Sequence, residues 1–358
     1  MQIMTTPGAS PSHWSTPRRH LKRGLGALLF AALVAGAGMP PAAASTSRGG
    51  IAGVICRPAA YSIALAPGAA TRYTVRGTLC TPGAGYGRTV QLLLGGILYT
   101  RAYWDWPVQP RTYSWVRAMN AAGYATLNID RIGGGASDHP PAAQVTIDAN
   151  AYVAHQLVRD LRQRPAAFAR VMLVGHSLGS LISIVEAGRY RDVDGVILTG
   201  FMHAPGPGTA AFSQSGLLSA QTNPALRSLP SGYLRERPGT RVTYFYDPAN
   251  ADPAVIAYDD ASVAPIGTAT IGELGQFARV LTSPAYSRAI VAPVLVLTGR
   301  QDALFGAAAA GKEPSFYRIG LPLEVDVLPD TGHALNLHRS APRAFALARA
   351  WADRHVGS

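Results

Sequence analysis

Short apolar runs separated by longer helix-compatible segments restrict the possible folds of this chain more than any other feature. Runs of four to six residues rich in Val, Leu and Ile suit strands buried on both faces. Helical segments such as 149–162 and 342–355 lie between or after them, so the alternation predicts a mostly parallel, doubly wound α/β sheet. The predicted parallel strands are 90–95, 125–130, 171–174, 196–199, 294–298 and 323–328, and two leading antiparallel strands are 60–65 and 71–78.

The third of these runs, 171–174, breaks into Gly175-His176-Ser177-Leu178-Gly179 and then into an apolar segment, 178–187. Glycines two residues before and after a serine permit a tight turn from strand to helix. A helix after the turn directs its N-terminus at Ser177, and the backbone N–H of Leu178 could then stabilise an oxyanion. Because the chain has 38 glycines, this pattern is weak alone and needs support from other residues.

A serine hydroxyl becomes a good nucleophile when a base accepts its proton and a carboxylate orients that base. Asp302 lies in the loop after the predicted strand 294–298, and His333 lies in the loop after 323–328. Open α/β sheets place their sites at these carboxyl ends of parallel strands. We therefore predict Ser177 as nucleophile, Asp302 as acid and His333 as base. The alternatives are Asp326 and Asp330 for the acid and His338 for the base, while His176 is expected to pack beside the nucleophile.

From about Arg72 to its end, the chain resembles the α/β-hydrolase superfamily. The order Ser177, Asp302, His333 is the order of that fold. Within the superfamily, the chain resembles secreted actinobacterial esterase-like and lipase-like members. It implies an α/β-hydrolase fold with an inserted lid.

The segment 90–99, followed by Tyr103-Trp104-Asp105, resembles the strand and oxyanion loop of those members. They usually carry His-Gly where this chain has Gly95-Gly96. The resemblance implies that Ile97 donates the second oxyanion N–H. The segment 128–137 likewise resembles the next strand of the family and its glycine-rich turn.

The first 44 residues have the order of an export signal. Arg18, Arg19, Lys22 and Arg23 precede an apolar run, 25–39, and Pro-Pro-Ala-Ala-Ala at 40–44 follows it. That run is short for a membrane span, so cleavage near Ala44 is favoured over a membrane anchor. The sequence predicts a secreted, extracellular protein without a stable membrane anchor. It leaves both the general and the twin-arginine export routes open.

The two cysteines, Cys56 and Cys80, are interpreted as one disulfide between the leading strands, with two buried thiols as the alternative. The spacing of cysteines and histidines matches no metal-binding motif, so neither a metal nor a cofactor is predicted. The formal charge is +12. Removal of the four positive residues of the signal leaves +8, spread without a basic run, so nucleic-acid binding is not predicted.

The predicted mature chain comprises a core, 45–203 and 289–358, interrupted by a lid, 204–288. The lid segment is too long for a plain crossover and mixes short apolar pieces with prolines. Its apolar and aromatic residues suit an acyl chain or a hydrophobic lactone, although they also suit the core of the lid itself. They include Phe212, Leu217, Leu218, Tyr244 and Phe245.

These observations predict a secreted serine hydrolase that cleaves carboxylic esters of small or lipid-like molecules without a cofactor. The same residues would serve amide, peptide or lactone hydrolysis, or acyl transfer to another alcohol. A noncatalytic binding protein of the same fold is the alternative from a different class, and the presence of all three catalytic candidates argues against it.

Overall fold

The structure is a computed structural model that describes residues 53–83, 88–163, 168–260 and 267–358. The predicted export signal, 1–44, and its cleavage point lie outside the described residues. In the part of the chain that is described, no helix is both long enough and apolar enough to cross a membrane.

The strands of the described residues form two sheets. They are β1 (Ile55–Ile63), β2 (Tyr73–Thr81), β3 (Thr89–Leu94), β4 (Ala125–Ile129), β5 (Arg170–His176), β6 (Gly195–Thr199), β7 (Leu217–Ser219), β8 (Tyr233–Glu236), β9 (Ala269–Thr270), β10 (Val294–Gly299) and β11 (Leu323–Leu328).

The α-helices lie mainly between these strands. They are α1 (Pro110–Tyr113), α2 (Trp115–Ala121), α3 (Ile147–Gln163), α4 (Leu178–Tyr190), α5 (Thr209–Ser215), α6 (Thr240–Tyr244), α7 (Pro253–Asp260), α8 (Ile271–Thr282), α9 (Ala285–Ala289) and α10 (Ala341–His355). Short 3-10 segments occur at Arg101–Tyr103, Ala142–Gln144, Ala220–Thr222, Pro224–Leu226, Pro248–Asn250, Ala307–Phe316 and Leu335–Leu337.

The main sheet has eight strands in the order β1-β2-β4-β3-β5-β6-β10-β11. The pairs β1–β2 and β2–β4 are antiparallel, and the remaining pairs are parallel. Every residue of β3, β4, β6 and β10 is buried, as expected for strands covered by helices on both faces. The six apolar runs of the sequence form the six parallel strands, which confirms the predicted doubly wound α/β sheet.

The first strand begins and ends earlier than the sequence predicts. β1 starts at Ile55 rather than residue 60, because its pairing with β2 continues to Ile55 opposite Thr81. It ends at Ile63 because the next residue, Ala64, is held by a side chain instead of a strand. The Gln156 amide accepts from the Ala64 N–H at 3.0 Å and donates to its carbonyl at 2.8 Å.

Cys56 and Cys80 form a disulfide across the β1–β2 pair, where they lie directly opposite each other. The bond therefore joins two neighbouring strands at one edge of the main sheet.

The chain between β6 and β10 forms helices α5 to α9 and a small antiparallel sheet in the order β7-β8-β9. This inserted segment contacts the main domain near the carboxyl end of β10, where Pro205 forms a bridge with Phe305. The lid limits, 204 and 288, stay a prediction. The segment between them contacts the main sheet at the carboxyl ends of the parallel strands, where the candidate residues also lie.

Candidate active site

Ser177 occupies the sharp turn between β5 and α4. Its backbone angles are φ 53° and ψ −116°, a conformation that non-glycine residues rarely adopt and that is typically kept only where surrounding contacts impose it. The Ser177 N–H donates to the Thr199 carbonyl on β6 at 2.8 Å, which helps to fix the turn. Leu178 is the first residue of α4, so its N–H lies at the positive end of the helix, ahead of the first intrahelical bond.

Asp302 and His333 are brought together at the ends of β10 and β11. The Asp302 Oδ2 and His333 Nδ1 atoms are 3.0 Å apart, and both side chains are buried. The second carboxylate oxygen, Oδ1, accepts from the N–H groups of Leu304 at 2.8 Å and Phe305 at 3.0 Å. A carboxylate held in this way orients the imidazole with its proton on Nδ1, which leaves Nε2 able to accept a proton.

The alternative base, His338, is fully used in supporting the loop that carries His333. Its Nδ1 donates to the Ala334 carbonyl at 2.8 Å, and its Nε2 accepts from the N–H groups of Asp247 at 2.8 Å and Gly332 at 3.1 Å. Burial lowers the pKa of His338, which keeps the ring neutral for this double role.

The alternative acids lie elsewhere. Asp326 lies within β11, and Asp330 is exposed, with its backbone carbonyl bound by Asn250. The hydrogen bond from His333 goes to Asp302 instead.

His176 packs beside Ser177 as expected. The ring stacks on Tyr103 with centroids 4.3 Å apart, and its Nδ1 lies 3.3 Å from the Thr199 hydroxyl oxygen. Burial and then the neighbouring His333 ring lower the pKa of His176 well below its ordinary value, so the side chain is neutral.

The loop after β3 lies directly against the turn that carries Ser177. A Cβ added to Gly96 would approach His176 Cδ2 to 2.9 Å and Ser177 Cβ to 3.2 Å, so a larger residue would push this loop away from the turn. The Gly96 carbonyl accepts from Arg131 Nη2 at 3.2 Å. Because C=O and N–H of one trans peptide point in opposite directions, this bond turns the Ile97 N–H away from Arg131.

A second buried arginine holds the other end of the same loop. Arg241 Nη2 donates to the Leu98 carbonyl at 2.8 Å, and its guanidinium lies 4.4 Å from the centre of the Tyr99 ring. Leu98 has φ 64°, so this contact supports a strained backbone conformation.

Both arginines pair with acids of the inserted segment. Arg131 forms a buried ion pair with Glu273 in the first turn of α8, and Arg241 pairs with Glu236 and with Asp259, both at 2.7 Å. The hydroxyl groups of Tyr99 and Tyr246 also donate to Asp259, at 2.9 and 2.8 Å. The inserted segment and the Gly96–Leu98 loop are therefore joined by charge-assisted hydrogen bonds.

Nothing local in the sequence marks these two arginines, because their partners are far away along the chain. Arg131 and Glu273 are 142 positions apart, and Arg241 and Leu98 are 143 apart. One local signal was available: Thr270 and Glu273 have the spacing of a capping box, which predicts the start of α8.

Ser177, Leu178 and Ile97 line one narrow cavity of about 40 Å³, in which apolar surface dominates. Of the lid residues singled out in the sequence, Phe212 lines this cavity. Tyr244 and Phe245 each contact the Phe212 ring at 5.6 Å between centroids, and Phe245 also lies 5.4 Å from His333. Leu217 and Leu218 lie in β7. The other lining residues are Thr209, Ser213, Leu274, Phe277, Leu304 and Phe305.

Comparison with known structures supports the fold. The chain superposes on a soluble variant of monoglyceride lipase from Saccharomyces cerevisiae, solved with a substrate analogue, with a TM-score of 0.60 and 16% identity, over 80% of this chain and 93% of that one. It also superposes on E-2-(acetamidomethylene)succinate hydrolase with a TM-score of 0.53 and 21% identity, over 84% of this chain and all of that one. At these identities the similarity establishes the fold.

Two sequence comparisons agree with this fold. A curated relative, the 2-(acetamidomethylene)succinate hydrolase of Mesorhizobium japonicum, is 27% identical over 231 residues, which cover 60% of this chain and 73% of the relative. The family model described as "Serine aminopeptidase, S33" matches residues 111–335, a range that includes Ser177, Asp302 and His333. The chain therefore belongs to the serine aminopeptidase S33 family of the α/β-hydrolase superfamily.

Proposed function

We propose that this hydrolase cleaves carboxylic esters through an acyl-enzyme formed on Ser177. One observation carries the proposal: Ser177, in its strained turn, shares an apolar cavity with Leu178 and Ile97, whose backbone N–H groups can stabilise an oxyanion. The Asp302–His333 pair supports the proposal because it supplies an oriented base at the same edge of the sheet.

In the first half-reaction, Ser177 Oγ forms a bond to the ester carbonyl carbon while His333 Nε2 takes the hydroxyl proton. The N–H groups of Leu178 and Ile97 stabilise the oxyanion of the tetrahedral intermediate. His333 then passes its proton to the leaving alcohol oxygen as the ester C–O bond breaks, which leaves an acyl group on Ser177. Asp302 keeps the His333 tautomer and stabilises the imidazolium throughout.

In the second half-reaction, water replaces the alcohol. His333 takes a proton from water as its oxygen attacks the acyl carbon, and the proton returns to Ser177 Oγ as the acid leaves. An alcohol that enters in place of water would give acyl transfer by the same steps, and a lactone would open through them.

Aromatic and aliphatic side chains support an apolar acyl group as substrate. Phe212, Phe277 and Leu274 come from the inserted segment, and Phe305 and Leu304 come from the loop after Asp302. The cavity holds only about 40 Å³, so we propose that α5 and α8 separate to admit the acyl chain.

We also propose that the protein acts outside the cell after removal of residues 1–44. The Cys56–Cys80 disulfide supports this location, because such bonds persist mainly in oxidising compartments.

The test is labelling of the purified mature protein with a fluorescent fluorophosphonate. We expect Ser177→Ala to abolish labelling and to lower kcat for p-nitrophenyl esters by roughly a thousandfold or more, because the residual rate would depend on binding and the oxyanion donors. Ser213→Ala is the matched control, since this hydroxyl lines the same cavity, and it should keep the label. A folded parent protein that is not labelled would overturn the proposal and favour a noncatalytic binding protein.

Amide hydrolysis is the second candidate, because the matching family is described as serine aminopeptidases. The curated relative is also a hydrolase whose name includes an acetamido group. The two candidates are separated by p-nitrophenyl esters and p-nitroanilides that carry the same acyl group. Ester turnover with little anilide turnover supports the main proposal, and a preference for the anilides supports the amide alternative.

A further inference from the structure

A group of three metal-ligating side chains lies away from the candidate active site. His155 is on α3, Glu186 is near the end of α4, and Asp192 follows the end of α4. One ligand atom from each lies within 4.8 Å of the other two. Glu186 is nine residues beyond Ser177, roughly 13 Å along the helix axis at 1.5 Å per residue, so the cluster is separate from the proposed catalytic residues.

The carboxylate of Glu186 is the unusual member of this cluster. Its side chain is fully buried, and its oxygen atoms accept from no N–H or O–H group of the described residues. They face the Asp192 carboxyl group, with which a hydrogen bond forms only if one of the two groups holds a proton. Asp192 Oδ1 is also buried without a partner among them. Arg162 supplies one positive charge nearby, but two carboxyl groups this close repel each other unless a proton or a cation lies between them. The site therefore has the electrostatic character of a cation site.

The remaining contacts orient the cluster. His155 Nδ1 lies 2.7 Å from Asp192 Oδ2 and 4.0 Å from Glu186 Oε1. The Tyr190 ring stacks on the imidazole at 3.9 Å and fixes its plane. Arg162 donates to the Asp192 backbone carbonyl at 2.9 Å, which fixes the backbone at the third residue. Supporting contacts of this kind commonly hold metal ligands in place.

One side of the cluster opens to solvent. The side chains of His155 and Asp192 are 18% and 24% exposed, whereas Glu186 forms the buried floor. A metal ion could enter from this side and keep a water molecule as its fourth ligand.

We propose that His155, Glu186 and Asp192 bind one divalent transition-metal ion, with Zn²⁺ as the best match. An imidazole nitrogen with two carboxylates suits Zn²⁺, whereas Ca²⁺ and Mg²⁺ prefer oxygen ligands throughout. Ligand distances of about 2.0–2.2 Å require side-chain shifts that separate His155 Nδ1 from Asp192 Oδ2 and bring Glu186 closer. The bound ion would join α3 to the end of α4, and its role is structural.

The experiment uses the mature protein stripped with a chelator and returned to metal-free buffer. Titration calorimetry with Zn²⁺ should give one site per chain, and the thermal midpoint should rise by several degrees because the ion binds the folded state. His155→Ala and Asp192→Asn should each weaken binding at least a hundredfold and remove the rise in midpoint. Fluorophosphonate labelling of each variant checks its folding and should not change.

Two matched controls remove histidines outside the cluster. His139→Ala removes a half-buried ring, and His355→Ala removes a surface ring beside Glu324; both should keep the site. Zn²⁺ binding that survives His155→Ala and Asp192→Asn would overturn the proposal, because the ion would then be bound elsewhere. Absence of any Zn²⁺ binding to the parent would also overturn the proposal. The Glu186 and Asp192 carboxyl groups would then share a proton instead of binding a metal ion.

Discussion

Arg131 connects the loop that carries Ile97 with helix α8 of the inserted segment. It binds the Gly96 carbonyl, which sets the direction of the Ile97 N–H, and it forms a buried ion pair with Glu273 on α8. On the proposed mechanism, this N–H must point at the oxyanion when the tetrahedral intermediate forms. On that mechanism, Arg131 is a positioning residue that acts through Ile97.

We expect Arg131→Met to lower kcat for esters ten- to a hundredfold, with a small change in KM. Removal of an oxyanion donor costs about 10²–10³ in kcat, and a misdirected donor should cost less than its full loss. The measurement is steady-state kinetics together with thermal melting.

Arg131→Met alone leaves Glu273 buried without its partner, which destabilises the fold. The double variant Arg131→Met/Glu273→Gln removes both charges and serves as the control. It should recover stability but not kcat. If kcat recovers together with stability, the arginine does not position Ile97.

At this scale the sequence placed the candidate residues in loops after the predicted strands, as the structure does, but it did not show the contacts between distant segments. Ser177, Asp302 and His333 were predicted together because each lies in a loop after one of the predicted parallel strands, and parallel strands bring their carboxyl ends together. Arg131 and Arg241 could not be predicted as site residues, because nothing in the local sequence distinguishes an arginine that binds a distant carbonyl group from one that lies in solvent.

Among the elements, α4 depends most on close approach to its neighbours. Gly179 lies in its first turn, and a Cβ there would overlap the Leu94 carbonyl oxygen of the adjacent strand. Such contact is possible only for glycine, so the absence of a side chain at Gly179 allows the start of α4 and the Ser177 turn to pack against β3.

We expect Gly179→Ala to destabilise the protein by about 1–3 kcal/mol, the usual range for overpacking, and to reduce fluorophosphonate labelling because the turn shifts. Gly275→Ala is the matched control within another helix, α8. That glycine is exposed and a Cβ there meets nothing within 4 Å. It should be neutral or stabilising by about 0.5–1 kcal/mol. Denaturant unfolding measures both, and equal effects would contradict the packing argument.

The parallel strands of the main sheet were predictable because short apolar runs between helical segments suit strands that helices cover. The small sheet of the inserted segment was not, since β9 has two residues and β7 has three, too short for any periodicity. Strand ends also escaped prediction where a side chain replaced a strand partner, as Gln156 does at Ala64.

For the whole molecule, two buried histidines contribute to the loss of stability in mild acid. Burial lowers the pKa of His176 and of His338 from the ordinary value of 6.5, so the unfolded chain binds protons that the folded chain does not. Their contribution to stability is complete above about pH 6.5 and is lost as the pH falls, at up to about 1.4 kcal/mol per pH unit for each group.

We expect the unfolding free energy of His176→Phe to fall less steeply than that of the parent between about pH 6.5 and pH 5. Phenylalanine keeps a ring against Tyr103 but cannot take up a proton. Chemical denaturation at several pH values gives the slopes, and His355→Gln, which changes a surface histidine, should leave the slope nearly unchanged. Identical slopes for His176→Phe and the parent would show that His176 does not contribute to acid sensitivity.

The disulfide at the edge of the main sheet also has a mechanical consequence. A pull on the chain ahead of Ile55 would peel β1 away from β2 one hydrogen bond at a time, starting at the pair Ile55–Thr81. The next pair is Cys56–Cys80, so after one residue pair has separated, the covalent disulfide bond carries the applied force. Fraying that begins at this end is therefore limited to the Ile55–Thr81 pair. Reduction of the Cys56–Cys80 disulfide would allow the rest of the β1–β2 pair to separate.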